Sequence, residues 1–272
     1  MYEGGLQYSF EHMKRCLTAE RLDGVCLFNL CASGETLLFS KLPEIVEMLL
    51  DLGHWVSIVT NLTIDRALNK ILELPQEKQQ YLFFKCSFHY LELVRLGLLD
   101  TFFDNIDLLK EKGIAFTVEL TVNDETIPHI EKIKAVSLKK LGAFPRIIES
   151  RNQGEDHFNR LTKLSVEEHQ KIWRSFASPL FDYQQKNWGK HIDNFCYAGD
   201  WRISLDIHDG NVSQCDVPYV DTRLENMFEI GWRGGLYPFS AIGVNCPLKH
   251  CYPTYYQSCL VNAFGEWGGV EK

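Results

Sequence analysis

The sequence predicts an α/β fold built on a parallel sheet, followed by a small cysteine-rich domain. Three observations predict it. Short apolar runs alternate with helix-like segments over the first two-thirds of the chain, polar residues cluster where those runs end, and the texture changes after about Ser178. Strands alternating with helices imply βαβ units, whose right-handed crossovers build either a barrel or a doubly wound sheet.

The elements follow in order. Residues 24–30 (GVCLFNL) form an apolar run read as a buried strand. Residues 43–52 repeat apolar positions at helical spacing, and Gly53 stops them. A strand at 55–60, a weak helix near 64–72 and a strand at 82–87 come next. A helical stretch over 90–112 breaks near Gly97 and ends at Gly113. A strand at 115–120, a helix at 127–141 and a strand at 146–149 complete the series. In such folds functional groups sit at the carboxyl ends of the strands. Five polar clusters stand there: Ser33-Gly34-Glu35, Thr60-Asn61, Ser87 with His89, Glu119 with Thr121, and Glu149 with Arg151.

Composition narrows the partners. A formal net charge of -8 and a pI near 5.6 argue against a nucleic-acid or anionic-membrane surface. No apolar run approaches the ~20 residues of a membrane span, and the first residues, MYEGGLQYSFEHMKRC, do not read as a signal peptide. A cytoplasmic protein is the expectation. Its nine cysteines are then metal ligands or core thiols, since disulfides are rare in a reducing compartment.

Five of those cysteines fall after residue 186, and a domain boundary is expected near Asn187, giving domains 1–186 and 187–272. Between Cys196 and Cys215 the segment WRISLDIHDGNV reads as a β-hairpin. Ile203, Leu205 and Ile207 alternate, and Asp209-Gly210 forms the turn. Such a hairpin brings both cysteines to its open end. Cys246 and Cys251, in CPLKHC, complete a four-thiolate set suited to iron–sulfur or zinc, which spacing does not distinguish. Cys259 is a spare. Cys26 and Cys86 lie within strands and are expected in the core, Cys31 stands at a strand edge, and Cys16 sits alone in a helix-like segment. His89 is expected to be packed. Trp201, Trp232, Tyr237, Tyr252, Tyr255 and Tyr256 are read as the core of the small domain before a substrate cleft.

The chain resembles the radical SAM superfamily in two stretches. Cys31-Ala32-Ser33-Gly34-Glu35-Thr36-Leu37-Leu38 is similar to the family's GGEPLL segment at the end of the second barrel strand, and Thr60-Asn61 to its TNG motif. The Cys196…Gly210…Cys215 spacing is similar to the hairpin of the SPASM and twitch auxiliary-cluster domains. The resemblance implies a partial (β/α)6 TIM-like barrel, incomplete at its amino terminus, that binds S-adenosylmethionine at its carboxyl edge. By that resemblance Ser33, Gly34 and Glu35 hold the amino group of the methionine moiety. Ser87 and Glu119 are candidate ribose or amino contacts, and Arg151 a partner for the methionine carboxylate. Cys196, Cys215, Cys246 and Cys251 would hold an auxiliary [4Fe–4S] cluster, fed by a reductant such as flavodoxin or ferredoxin.

One departure stands out: the family's CxxxCxxC, ligand to the catalytic cluster, has no counterpart in this sequence. The first readable strand corresponds to the family's second, so a missing amino-terminal portion or a degenerate member is expected. This polypeptide alone should then not cleave S-adenosylmethionine reductively. For the intact protein the resemblance implies a 5′-deoxyadenosyl radical acting on a peptide, a carbohydrate or a small metabolite. The rival readings are a zinc-stabilised binding module on an α/β scaffold, an ordinary (β/α) metabolic enzyme and, last, a flavodoxin-like sheet.

Overall fold

The structure is a computed structural model that describes residues 5–150, 159–189, 195–215, 223–229, 235–244 and 246. In chain order the helices are α1 (Phe10–Cys16), α2 (Leu42–Asp51), α3 (Asp65–Leu72), α4 (Gln76–Gln79), α5 (Tyr90–Leu96), α6 (Leu99–Glu111), α7 (Ile130–Leu141), α8 (Val166–Trp173) and α9 (Pro179–Asn187). The strands are β1 (Leu27–Leu30), β2 (Trp55–Thr60), β3 (Leu82–Ser87), β4 (Ala115–Thr121), β5 (Arg146–Ile148), β6 (Ser204–Leu205), β7 (Val212–Ser213) and β8 (Arg223–Leu224). The chain divides into two compact units: Leu27–Trp188, and Met1–Cys26 with Gly189–Lys272. Helix α1 therefore groups with the carboxyl-terminal segment, which residue order alone does not suggest.

The larger unit holds β1 to β5 as one parallel sheet in the order β1-β2-β3-β4-β5. Because parallel crossovers are right-handed, sequential order places every crossover on the same face. This is the single winding of a (β/α) barrel; a doubly wound sheet would reverse its order at a switch point.

Register sorts the side chains onto two faces, since neighbours across parallel strands point the same way. One face carries the rows Val56–Leu82, Ile58–Phe84–Phe116, Thr60–Cys86–Val118 and Leu120–Ile147. These are mostly buried, together with Leu49 of α2, Leu68 and Ile71 of α3, and Phe102, Ile106 and Leu109 of α6. Phe88, just past β3, stacks on Phe102 with centroids 5.2 Å apart and meets Phe103 edge-on. Each such side chain contributes about 1.5–3 kcal/mol by leaving water. The helical stretch after β3 breaks where the sequence indicated, at Gly97 (φ 69°), which closes α5 in the left-handed region.

The two edges of the sheet differ. The Ile147 and Glu149 amides point away from β4, and side chains beside α9 take them up. Ser178 Oγ accepts from Ile147 N (3.0 Å), and Gln184 Oε1 accepts from Glu149 N (2.8 Å). Helix α9 thus ends the ladder as a further strand would continue it. At the other edge β1 pairs with β2 alone among the described residues, with Val25 62% and Leu27 64% exposed. The expected buried strand over 24–30 is therefore corrected to a four-residue edge strand. Cys26, expected in the core, precedes it and is only partly covered.

In the smaller unit β6, β7 and β8 form an antiparallel sheet. The hairpin connection spans residues 206–211; it includes the predicted Asp209-Gly210 and also Ile207, which the sequence reading placed on a strand. Gly210 sits at φ 79°, and a Cβ there would lie 2.5 Å from Asn226 Oδ1 and 2.6 Å from Phe228 Cδ2, so only glycine fits. Helix α1 starts at Ser9, whose Oγ accepts from His12 N. His12 in turn lies 2.8 Å from the Phe228 carbonyl. Tyr237 is buried, as expected of a core aromatic, and its hydroxyl donates to the Glu225 carbonyl. Trp201 is instead 57% exposed, stacked on Tyr197 with centroids 4.0 Å apart. Trp232, Tyr252, Tyr255 and Tyr256 lie outside the described residues.

Candidate functional site at the carboxyl edge of the sheet

The loop leaving β1 is built around one carboxylate. Glu35 accepts from its own loop at Leu37 N (2.9 Å) and from the end of β2 at Asn61 N (2.8 Å) and the Thr60 hydroxyl. Three donors on one carboxylate brace the loop against the neighbouring strand. Ser33 and Gly34 are exposed, and Gly34 takes φ 123° with open space around it. Most acceptor capacity of Glu35, by contrast, is spent inside the protein. The residue expected to reach a ligand is thus first a brace.

Asn61 is also engaged, accepting from Thr63 N (3.1 Å) and from the Thr63 hydroxyl (2.6 Å). The next residue is Leu62, where the TNG motif has glycine. Leu62 is buried with φ 56°, and its amide donates to Thr60 Oγ1. The backbone keeps the left-handed turn, at a cost of about 1–2 kcal/mol for an L side chain. Its carbonyl accepts from Asn105 Nδ2 at 3.0 Å.

The sheet's other face is polar. Its rows are Asn29–Ser57–Phe83, Val59–Lys85–Thr117 and Ser87–Glu119–Arg146, the last nearest the carboxyl edge. Ser57 Oγ donates to Asn29 Oδ1 (3.1 Å), Thr117 Oγ1 to Glu119 Oε1 (3.3 Å), and Arg146 lies 3.6 Å from Glu119. Burial pushes the Arg146 guanidinium pKa down, and the Glu119 charge offsets this only in part. Ser87 and Glu119, both singled out from sequence, are adjacent here. Lys85, Arg146, Asn29, Ser57 and Thr117 were missed, although each holds every second position of its strand, and that alternation could have found them. His89 is exposed before α5, correcting the expected packed histidine. Arg151 lies outside the described residues.

Past β5, Glu149 is fully buried and accepts from His169 Nε2 (3.0 Å) and Gln185 Nε2 (2.6 Å), with Arg160 3.4 Å away. This network ties α8 and α9 to the strand end.

Cys86 is buried as expected. Its thiol pKa is pushed well up by burial and then by the charges of Glu119 and Glu35. Of the expected metal ligands, Cys215 is buried and Cys196 and Cys246 are partly covered. Burial raises the Cys196 thiol pKa, and Cys246 is close enough to raise it further. Cys251 lies outside the described residues, and among those described no three His, Cys, Asp or Glu side chains come together to hold a metal. The described thiols thus do not by themselves make a cluster site.

No protein-family model matches the sequence, and no curated protein matches it. Solved structures match the fold. Hexahistidine-tagged anSMEcpe with bound AdoMet aligns at a TM-score of 0.51 and 17% identity, over 82% of this chain and 66% of that one. Native anSMEcpe with bound AdoMet and the Kp18Cys peptide gives 0.51 and 18%, over 82% and 70%. Streptococcus suis SuiB bound to S-adenosylmethionine gives 0.54 and 12%, over 82% and 57%. At these identities the likeness is one of fold. The chain spans 66% of the first of these structures and 57% of SuiB.

Proposed function

We propose that the sheet is part of a partial (β/α) barrel of the radical SAM type and that it binds S-adenosylmethionine at its carboxyl edge. The observation that carries the reading is the Glu35-braced loop beside the Ser87–Glu119–Arg146 row, at the ligand-binding edge of a sheet whose fold is shared with AdoMet-bound proteins. The donor set suits the ligand. An α-ammonium takes carbonyls near Ser33 and Gly34 or the Glu119 carboxylate, an α-carboxylate takes an arginine, and a ribose takes hydroxyls. Arg146 is the candidate cation for the carboxylate, with Arg151 a candidate by resemblance alone. Glu35 fixes the loop these contacts depend on.

When bound, S-adenosylmethionine supplies the radical chemistry of the family that the sequence resembles. No reductive step is assigned to these residues, because CxxxCxxC is absent from the sequence and the described cysteines do not assemble a ligand set. The substrate of this reading is a peptide, supported by the likeness to a solved structure that holds the Kp18Cys peptide. An auxiliary [4Fe–4S] cluster on Cys196, Cys215, Cys246 and Cys251 and a flavodoxin- or ferredoxin-type reductant belong to the same proposal.

Calorimetric titration of the purified chain with S-adenosylmethionine and S-adenosylhomocysteine tests the binding. Saturable binding is expected, with Glu119→Gln and Ser87→Ala each weakening it by about tenfold, the worth of one good hydrogen bond. A folded chain that shows no saturable heat with either compound would overturn the reading.

A further inference from the structure

The smaller unit carries an exposed aromatic ladder that its backbone holds in place. The ring centroids of Phe195 and Tyr197 lie 4.7 Å apart, and Tyr197 stacks on Trp201 at 4.0 Å with the ring planes 12° apart. Phe195 and Trp201 are nevertheless 46% and 57% exposed. Tyr197 covers one face of the Trp201 ring, so the exposed area belongs to its other face and edges. A tight turn sets this stacking. The amides of Asp200 and Trp201 both donate to the Tyr197 carbonyl, and the amides of Ser240 and Ile242 donate to the carbonyls of Gly199 and Ala198, each at 2.9 Å. Gly199 sits at φ 96°, and a Cβ there would run into the Ser240 carbonyl, so only glycine closes the turn. Large aromatic side chains fixed in one geometry yet left in water mark interaction sites.

Two charged residues belong to the same turn. Asp200 is exposed beside Trp201. Arg202 turns inward, with its Nη1 buried and its charge felt at Cys196. Asp200 is therefore the one presented to solvent, in a chain of net charge -8. We propose that the ladder docks a basic peptide segment, a lysine or arginine side chain lying on the open face of Trp201 with its cation toward the Asp200 carboxylate. A tryptophan face attracts a cation, its apolar ring receives the methylene stem, and the carboxylate supplies the counter-charge. Val244 is 77% exposed, and the antiparallel pairing of Cys196 with Gly243 sets it opposite Phe195, which gives apolar surface to the flanking residues of the peptide. A neutral partner lacks the charge attraction, and an acidic one is repelled by the chain as a whole. The inference uses no residue of the proposed S-adenosylmethionine site and rests on no part of that reading.

The test is fluorescence polarisation of the full chain with a fluorescein-labelled heptapeptide of alternating glycine and lysine, and with a counterpart carrying glutamine for lysine. The lysine peptide is expected to bind with a Kd of about 0.1–1 mM at low salt, the glutamine peptide at least about tenfold more weakly. Trp201→Ala and Asp200→Asn should each weaken the lysine peptide by at least about fivefold, and Trp201→Phe, which keeps an aromatic face, by less than about threefold. Circular dichroism checks that these surface variants stay folded. Equal binding of the glutamine peptide would overturn the assignment. So would unchanged affinity in both Trp201→Ala and Asp200→Asn, which would leave only a general attraction to an acidic chain. Sedimentation of the chain alone covers the remaining occupant: a dimer that Trp201→Ala dissociates would place a second copy on the ladder and overturn the peptide. Lysine-peptide binding lost in Trp201→Ala, in a chain that takes no S-adenosylmethionine, would support this inference while overturning the previous one.

Discussion

Replacing Glu35 by Gln separates a bracing role from a ligand-contacting one. The wild-type carboxylate accepts from Leu37 N, Asn61 N and the Thr60 hydroxyl. A hydrogen bond to a charged group is worth about 1.5–3 kcal/mol and a neutral one about 0.5–1.5 kcal/mol, so two surviving bonds lose roughly 1 kcal/mol each. The third donor then faces an NH2 group and is left unsatisfied, at about 1–3 kcal/mol. Glu35 is partly exposed and water makes up some of this, so the expected loss is about 2 kcal/mol. For a chain of this size that lowers Tm by about 4–8 °C. The assay is thermal and urea unfolding of the ligand-free chain, with hydrogen exchange at the Asn61 amide as the local readout. That amide should exchange faster in Glu35→Gln. Thr60→Val also leaves the Leu62 amide unsatisfied, so it should cost about 2–3 kcal/mol and be less than additive with Glu35→Gln, because both remove the Thr60–Glu35 bond. A ligand-free stability within about 0.5 kcal/mol of wild type would refute the bracing argument, since surface changes away from such features stay in that range.

Other expectations follow from single contacts. Gly210→Ala should cost more than about 2 kcal/mol in thermal unfolding, whereas Gly142→Ala, at φ 75° with nothing near its Cβ, should cost only about 1–2 kcal/mol of backbone strain. Equal losses would show that the close approach of Asn226 and Phe228 does not matter. Asp124 is held below the usual carboxylate range, first by the Thr162 hydroxyl and then by Lys163 N. A depressed folded pKa stabilises above the unfolded value of about 3.9 and is lost as pH falls through the folded value. Asp124→Asn should therefore be less stable than wild type at pH 6, with the gap closing below about pH 4. A pH-independent gap would sink that account. With a maleimide under native conditions, exposed Cys31 should be labelled first. Buried Cys86, its thiol pKa pushed up, should be labelled only on unfolding. Mass mapping of the labelled peptides distinguishes the two.

Element order was legible because apolar runs, helical spacing and glycine stops are local signals. Gly53, Gly97 and Asp209-Gly210 each marked a real turn. The edge position of β1 was not, because GVCLFNL has the same composition whether a sheet continues past it or stops. Likewise the closing of β5 by Ser178 and Gln184 depends on where a helix packs more than thirty residues later. Within the candidate site, Glu35 was found for its type and position, while its occupation by Thr60 and Asn61 is a tertiary fact. Arg146 was missed because it opens a strand and is followed by two apolar residues, Ile147 and Ile148.

The choice between a barrel-like and a doubly wound sheet was nevertheless written in the strands. A doubly wound sheet carries helices on both faces, and its central strands read as continuous apolar runs. In β3, Lys85 and Ser87 interrupt such a run at alternate positions; in β4, Thr117 and Glu119 do the same; in β2, Ser57 does. Burying an uncompensated ion against a helix costs several kcal/mol, and burying an unpaired hydroxyl costs about 1–3 kcal/mol. A second helical layer over this face would have to leave intact the partners these groups have, Ser57 with Asn29, and Thr117 and Arg146 with Glu119. The single winding places every crossover against the apolar rows, while the polar rows meet through hydrogen bonds such as Ser57 to Asn29 and Thr117 to Glu119. Period-two polarity on strands joined by helices is therefore the sequence signature of this winding, and in this chain it marks the same residues that line the candidate site.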